Sequence, residues 1–144
     1  MSQGFADFDP YATAALAAAQ QEAGVNLVGH VGTEHLLAGL AQIGDSAAGR
    51  ALGRLGITVA AVHEGVREQA TRTQRIILSE VPTSSMVEVV LERARAGAAA
   101  RRAPQVGSED LLLALAEAQE SVAGKVLAEL GAGPDAVRRE LSAG

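Results

Sequence analysis

The sequence predicts an all-α fold of eight helices, arranged as two four-helix units, and three observations carry that prediction. The chain is 48% hydrophobic yet nearly free of aromatics, with Phe5, Phe8 and Tyr11 all in its first eleven residues. Its core must therefore come from Leu, Val, Ile and Ala, and abundant alanine favours helices because it has the best helix propensity and lets axes approach closely. The sequence also repeats itself at a displacement of 75 positions: residues 31–66 and 106–141 are identical at fifteen of thirty-six positions. Upstream the register persists weakly, pairing Leu16 with Leu91, Ala19 with Ala94 and Ala23 with Ala98. Finally, the residues that start and stop helices recur in kind at matching positions, as a duplicated unit requires.

Each element follows from this punctuation. Residues 11–23 and 86–100 form the first helix of the two units. Thr33 and Ser108 stand where a hydroxyl caps the second helix by accepting from N–H groups that lack an intrahelical partner. Leu36, Leu37 and Leu40, matched by Leu111, Leu112 and Leu115, are its buried stripe. Ser46 and Ser121 cap the third helix, whose inward positions are Ala48, Leu52 and Leu55 in one copy and Ala123, Leu127 and Leu130 in the other. Gly56 and Gly131 end it, since glycine accepts the left-handed conformation at a helix C-terminus. The fourth helix starts at a Thr58 cap in one unit and at Gly133-Pro134 in the other, with proline at the first helical position.

The two units span residues 8–69 and 83–144, joined by a connector over 70–82. Ile76, Ile77 and Leu78 in that connector suggest a segment that packs down. A unit of about seventy residues buries too little apolar surface to be comfortable alone, so the halves are expected to share one core about a pseudo-two-fold axis, as a single domain over 1–144.

Composition narrows the function. Twelve basic against seventeen acidic residues give a net charge of -5, which opposes an electrostatic grip on nucleic acid. The basic cluster Arg93, Arg95, Arg101 and Arg102 has Glu88 and Glu92 beside it and reads as a solvated helix face. With no cysteine, no apolar run near the roughly 20 residues a spanning helix needs, and no N-terminal signal pattern, the expectation is a soluble cytoplasmic protein. His30, His35 and His63 lack the spacing of a helical metal pair, and neither an H-E-x-x-H nor a G-x-S-x-G sequence occurs. No catalytic site, metal or cofactor is expected. Nor is there a G-x-x-x-x-G-K-[ST] phosphate loop, so ATP hydrolysis by that route is excluded for this chain.

Two copies of G-[TS]-E-[HD]-L-L, each followed by A-[GA]-x-x-L-x-x-L-G and a closing amphipathic helix, resemble the Clp repeat, the N-terminal domain of ClpA- and ClpC-type protein unfoldases. The likeness covers residues 8–141. It implies an all-helical module that docks client and adaptor proteins for an ATP-driven ring and, in the ClpC branch, recognises arginine-phosphorylated proteins. The chain is then either a free-standing relative of that domain or a piece of a longer unfoldase.

In the family the glutamate of this motif contacts the guanidinium of phosphoarginine, and by resemblance the role passes to Glu34 and Glu109, with hydroxyls from Thr33 and Ser108. The chemistry is reasonable: a helix N-terminus offers N–H donors and the positive end of a dipole to a phosphate, beside a carboxylate for the guanidinium. The same residues equally make a plain helix start, in which a hydroxyl cap and an acidic first turn are each worth about 1 kcal/mol or less. Asp110, where the first unit has His35, puts a second negative charge in the way of a phosphate in unit two.

Relatives also carry a peptide-binding face near the start of the second unit, with an aromatic and basic residues in a segment like I-P-F-T-P-R-A-K-K. Here the segment reads VPTSSMVEV, with Thr83 in place of the aromatic and Glu88 and Val89 in place of the lysines. Phe8 matches the N-terminal phenylalanine of that face, or plugs the core over the first helix. The leading reading is a non-catalytic recognition module for client or adaptor proteins that serves or competes with a Clp unfoldase. The alternative is a decoy that sequesters cyclic-peptide antibiotics aimed at the ClpC N-domain.

Overall fold

Aspartate and proline start the first helix. The Asp9 carboxylate accepts from the Ala12 N–H at 2.8 Å, and Pro10 takes the first helical position, where its missing N–H costs nothing. The computed structural model describes residues 7–25, 32–73 and 83–143; His30 and the apolar Ile76, Ile77 and Leu78 of the connector lie outside them. Among the described residues the elements are α1 (Pro10–Val25), α2 (Thr33–Gln42), α3 (Ala47–Arg54), α4 (Val59–Thr73), α5 (Thr83–Ala100), α6 (Ser108–Glu117), α7 (Val122–Glu129) and α8 (Pro134–Ala143). The expected all-α, eight-helix fold is present. α1 and α5 each start earlier than the apolar pattern indicates, and α4 runs to Thr73, past the expected unit boundary at 69.

The punctuation acts largely as read. Ser46 Oγ accepts from Gly49 N–H at 2.9 Å and Ser121 Oγ from Gly124 N–H at 3.0 Å, capping α3 and α7. Thr58 Oγ1 accepts from Ala61 N–H at 3.0 Å, capping α4. Gly56 and Gly131 both have φ of +78°, the left-handed turn that a β-carbon disfavours.

Two expectations need correction. Leu130 is 39% exposed rather than inward. It is the C-cap residue of α7, where Gly131 turns the chain away, so its side chain lines a surface groove beside Val126 and Gly65 of α4. Thr33 and Ser108 do not cap their own helices. Each is the first helical residue after an extended glycine, Gly32 or Gly107, and their hydroxyls point elsewhere, as described below.

α2 and α6 form the centre, and Leu36, Leu37, Leu40, Leu111, Leu112 and Leu115 are all fully buried. α1 packs on α2 and α5 on α6, within one unit each. The third and fourth helices pack on the second helix of their own unit and also cross between units: α3 contacts α6 and α7 contacts α2, while α4 packs on α7 and α8 on α3. One cluster of buried residues takes in side chains of both units, from Phe8 and Leu36 to Leu127 and Val137.

The α1–α2 crossing is tight. A β-carbon at Gly39 would collide with the Ala15 carbonyl oxygen and lie 3.0 Å from the Ala19 nitrogen, and backbone atoms cannot rotate aside. At the same register α6 carries Ala114, buried without conflict. Gly39→Ala is therefore expected to destabilise the fold by about 1–3 kcal/mol through overpacking, despite alanine's better helix propensity, and to lower the urea midpoint at unchanged slope.

Candidate functional site: the two helix corners

The glycine before each central helix makes room for a side chain. Gly32 and Gly107 have φ near -107° and -104°, ordinary extended values, so left-handed freedom is not the reason for them. A β-carbon on Gly32 would lie 2.6 Å from Oε1 of Glu34, and one on Gly107 would collide with Oε1 of Glu109. Each glutamate thus folds back over its own N-cap, which fixes its carboxylate at the helix corner.

The hydroxyls face inward. Thr33 and Ser108 are 1% and 2% exposed. Thr33 Oγ1 accepts from Ala123 N–H at 3.2 Å, and Ser108 Oγ accepts from Ala48 N–H at 3.1 Å. These donors belong to the first turns of α7 and α3, so each unit supplies a second cap to the third helix of the other. This burial takes Thr33 and Ser108 out of the set of side chains a solute can touch, and gives them a structural role in its place.

The third motif position distinguishes the corners. In unit one, His35 is 4% exposed and its Nδ1 accepts from Gly32 N–H at 2.8 Å, which puts the imidazole proton on Nε2. In unit two, Asp110 Oδ2 accepts from Gly107 N–H at 2.9 Å. Either side chain satisfies the same orphan donor, as the reaching-back half of a capping box does.

Asp110 does more than cap. Arg101, just beyond α5, donates from Nε to Asp110 Oδ1 at 2.9 Å and from Nη2 to Oδ2 at 2.6 Å, a two-point clasp. The same Nη2 lies 3.2 Å from Glu109 Oε2. The hydrogen bond to Asp110 raises the Arg101 pKa above its ordinary value, opposed in part by desolvation and aided by the charges of Asp110, Glu109 and Asp9. The second negative charge at this corner is thus neutralised by the protein itself. Unit one differs: Glu34 is half-buried, and its Oε1 is buried with no hydrogen-bond partner among the described residues.

The sequence contains a trace of this difference. At the displacement of 75, Arg101 answers to Asn26 and Asp110 to His35, so a cation and an anion appear together in one unit and are absent together from the other. Two other arginines of the cluster are also engaged: Arg95 pairs with Asp7 and Glu92, each at 3.0 Å, and Arg93 lies 3.9 Å from Glu120.

Of the expected peptide face, Phe8 is 3% exposed and belongs to the core. The Asp9 N–H donates to the Val106 carbonyl and the Val106 N–H to the Asp7 carbonyl, both at 2.8 Å, pinning Phe8 beside the second corner. The Arg95 guanidinium covers its ring at 5.2 Å from the centroid. Phe8 is therefore placed as a plug of the core. Glu88 is exposed next to the exposed Val89 on α5, and Thr83 opens that helix, with its side chain outside the described residues.

The paired corners on a duplicated helical core invite comparison with known proteins. The family model described as the Clp repeat (R) N-terminal domain matches residues 7–130 and again residues 82–143. The chain belongs to the Clp repeat N-terminal domain family. It is 33% identical over 139 residues to the chloroplastic chaperone protein ClpC of Pisum sativum, a match covering 95% of this chain. It is 34% identical over 144 residues to the chaperone protein ClpB of Oceanobacillus iheyensis. This Clp repeat domain spans only 15% and 17% of those two proteins. The crystal structure of the N-terminal domain of ClpD from Arabidopsis thaliana superposes with a TM-score of 0.74 at 21% identity, covering 99% of this chain and 96% of that one, which establishes the shared fold. Among the described residues no helix is long and apolar enough to cross a membrane.

Proposed function

We propose that this Clp repeat domain is a non-catalytic recognition module that binds client or adaptor proteins for, or in competition with, a Clp unfoldase, and that its reading head is the Glu34 corner. One observation carries the ligand class. At the equivalent corner of unit two, Glu109 Oε2 lies 3.2 Å from an arginine guanidinium that Asp110 clasps, so a glutamate at this motif position can meet that group. Glu34 keeps a buried carboxylate oxygen without a hydrogen-bond partner among the described residues, which a guanidinium N–H reaching the corner would satisfy, and His35 replaces the aspartate that would repel a phosphate. A phosphoarginine side chain would set its guanidinium on Glu34 and its phosphate toward the N-terminus of α2, where the helix dipole is positive.

Two or three charge-assisted hydrogen bonds of roughly 1.5–3 kcal/mol each, less the cost of association, make such a site weak on its own, and multivalent clients would gain through effective concentration. Calorimetric titration of the wild-type protein with free phosphoarginine is expected to give saturable heat in the millimolar range or below. Glu34→Gln, which keeps the shape and removes the charge, is expected to weaken binding by roughly 10- to 100-fold, equivalent to one charge-assisted bond. A folded wild-type protein that gives no heat at millimolar ligand would end the phosphoarginine reading.

A further inference from the structure

The two corners are built on one plan, yet among the described residues only the second shows an arginine of the same chain on its carboxylates. Two carboxylates meet the Arg101 head: Asp110 clasps it at two points and Glu109 lies 3.2 Å from Nη2. Asp110 is 7% exposed, so its carboxylate is a fixed receptor, positioned by the Gly107 N–H. The Arg101 side chain is 44% exposed, so the clasped guanidinium stays in contact with solvent. This guanidinium meets two carboxylates at the helix corner whose counterpart in the sister unit carries Glu34.

We propose that Arg101 is a built-in ligand of the second corner, occupying in cis the guanidinium position that Glu34 offers to a partner, so that the chain presents one open corner instead of two. The inference about stoichiometry rests on the proposed reading of Glu34; the occupancy itself rests on the Arg101 geometry alone. Arg101 thereby determines specificity between the units: unit two is self-satisfied, and Asp110 keeps its receptor selective for an unphosphorylated guanidinium.

The occupancy is tested with methylguanidinium as the probe. Arg101→Ala leaves the Asp110 cap in place and empties the receptor. Millimolar methylguanidinium is expected to raise the melting temperature of this variant saturably, by roughly 2–5 °C at tenfold excess over its dissociation constant. The wild type, whose second corner is already occupied, is expected to show a smaller rise, no more than the Glu34 corner alone gives, and so is Arg101→Ala combined with Asp110→Asn. A rise equal in wild type and variant, or none in a folded Arg101→Ala protein, would overturn the proposal. The second arm converts unit two to the residues of unit one with Arg101→Asn and Asp110→His: phosphoarginine stoichiometry is expected to go from one per chain to two. A wild type that already binds two, or a folded double variant that still binds one, would equally overturn it. A wild type that binds none would sink the reading of Glu34, while the methylguanidinium result still decides whether Arg101 is a ligand.

Discussion

Replacing Thr33 with valine and Ser108 with alanine together is expected to move the urea midpoint far below that of the wild type. Each substitution leaves a buried N–H, on Ala123 or Ala48, with no acceptor, at about 1–3 kcal/mol per site. The two hydroxyls serve different helices, so the double variant is expected to lose approximately the sum of the single losses. The effect has an address. Amide exchange should accelerate in the first turns of α7 and α3, the helices that receive the caps, more than at the starts of α2 and α6, which carry the substitutions. If each single variant lost less than about 0.5 kcal/mol, in the range of ordinary surface changes, the inter-unit caps would have no energetic weight.

Leu111→Ala is expected to be the most damaging single substitution among those considered. Its side chain is fully buried in α6, which touches helices of both units, so neighbours held by two units cannot collapse into the void. A loss of about 2–5 kcal/mol follows from the removed apolar surface and the residual cavity. Against a typical domain stability of about 5–15 kcal/mol, that is enough to populate unfolded molecules near physiological temperature. Leu130→Ala, at a position with the same apolar pattern but 39% exposed, is expected to cost far less. Equal losses for the two leucines would contradict the packing described here.

The sequence made the helices legible because the interactions that define them are local. Ser46, Ser121 and Thr58 each cap a donor three residues ahead, and Gly56 and Gly131 take the left-handed turn where they stand. The central leucines follow from helical periodicity, and the duplication follows from identity at a fixed displacement. The glutamates of the candidate site were legible for the same reason: Glu34 and Glu109 lie in the first turn of a helix whose start the sequence marks. Leu130 misled because periodicity continues to the last residue of a helix, whereas burial stops where the chain turns.

What the sequence left open lies at long range. Thr33 looks like a cap for its own helix, and only the crossing of α2 with α7, 90 residues away, turns its hydroxyl to another; Ser108 does the same at a separation of 60. Arg101 looked like one arginine of a solvated cluster until α5 and α6 brought it onto Asp110 and Glu109. By itself the sequence determined an all-helical duplicated domain with an acidic side chain at each central helix start, since propensity, capping and periodicity act over a few residues. Tertiary structure decided how the two corners differ, because folding brings Arg101 onto Asp110 and Glu109 and leaves Glu34 Oε1 buried without a hydrogen-bond partner among the described residues.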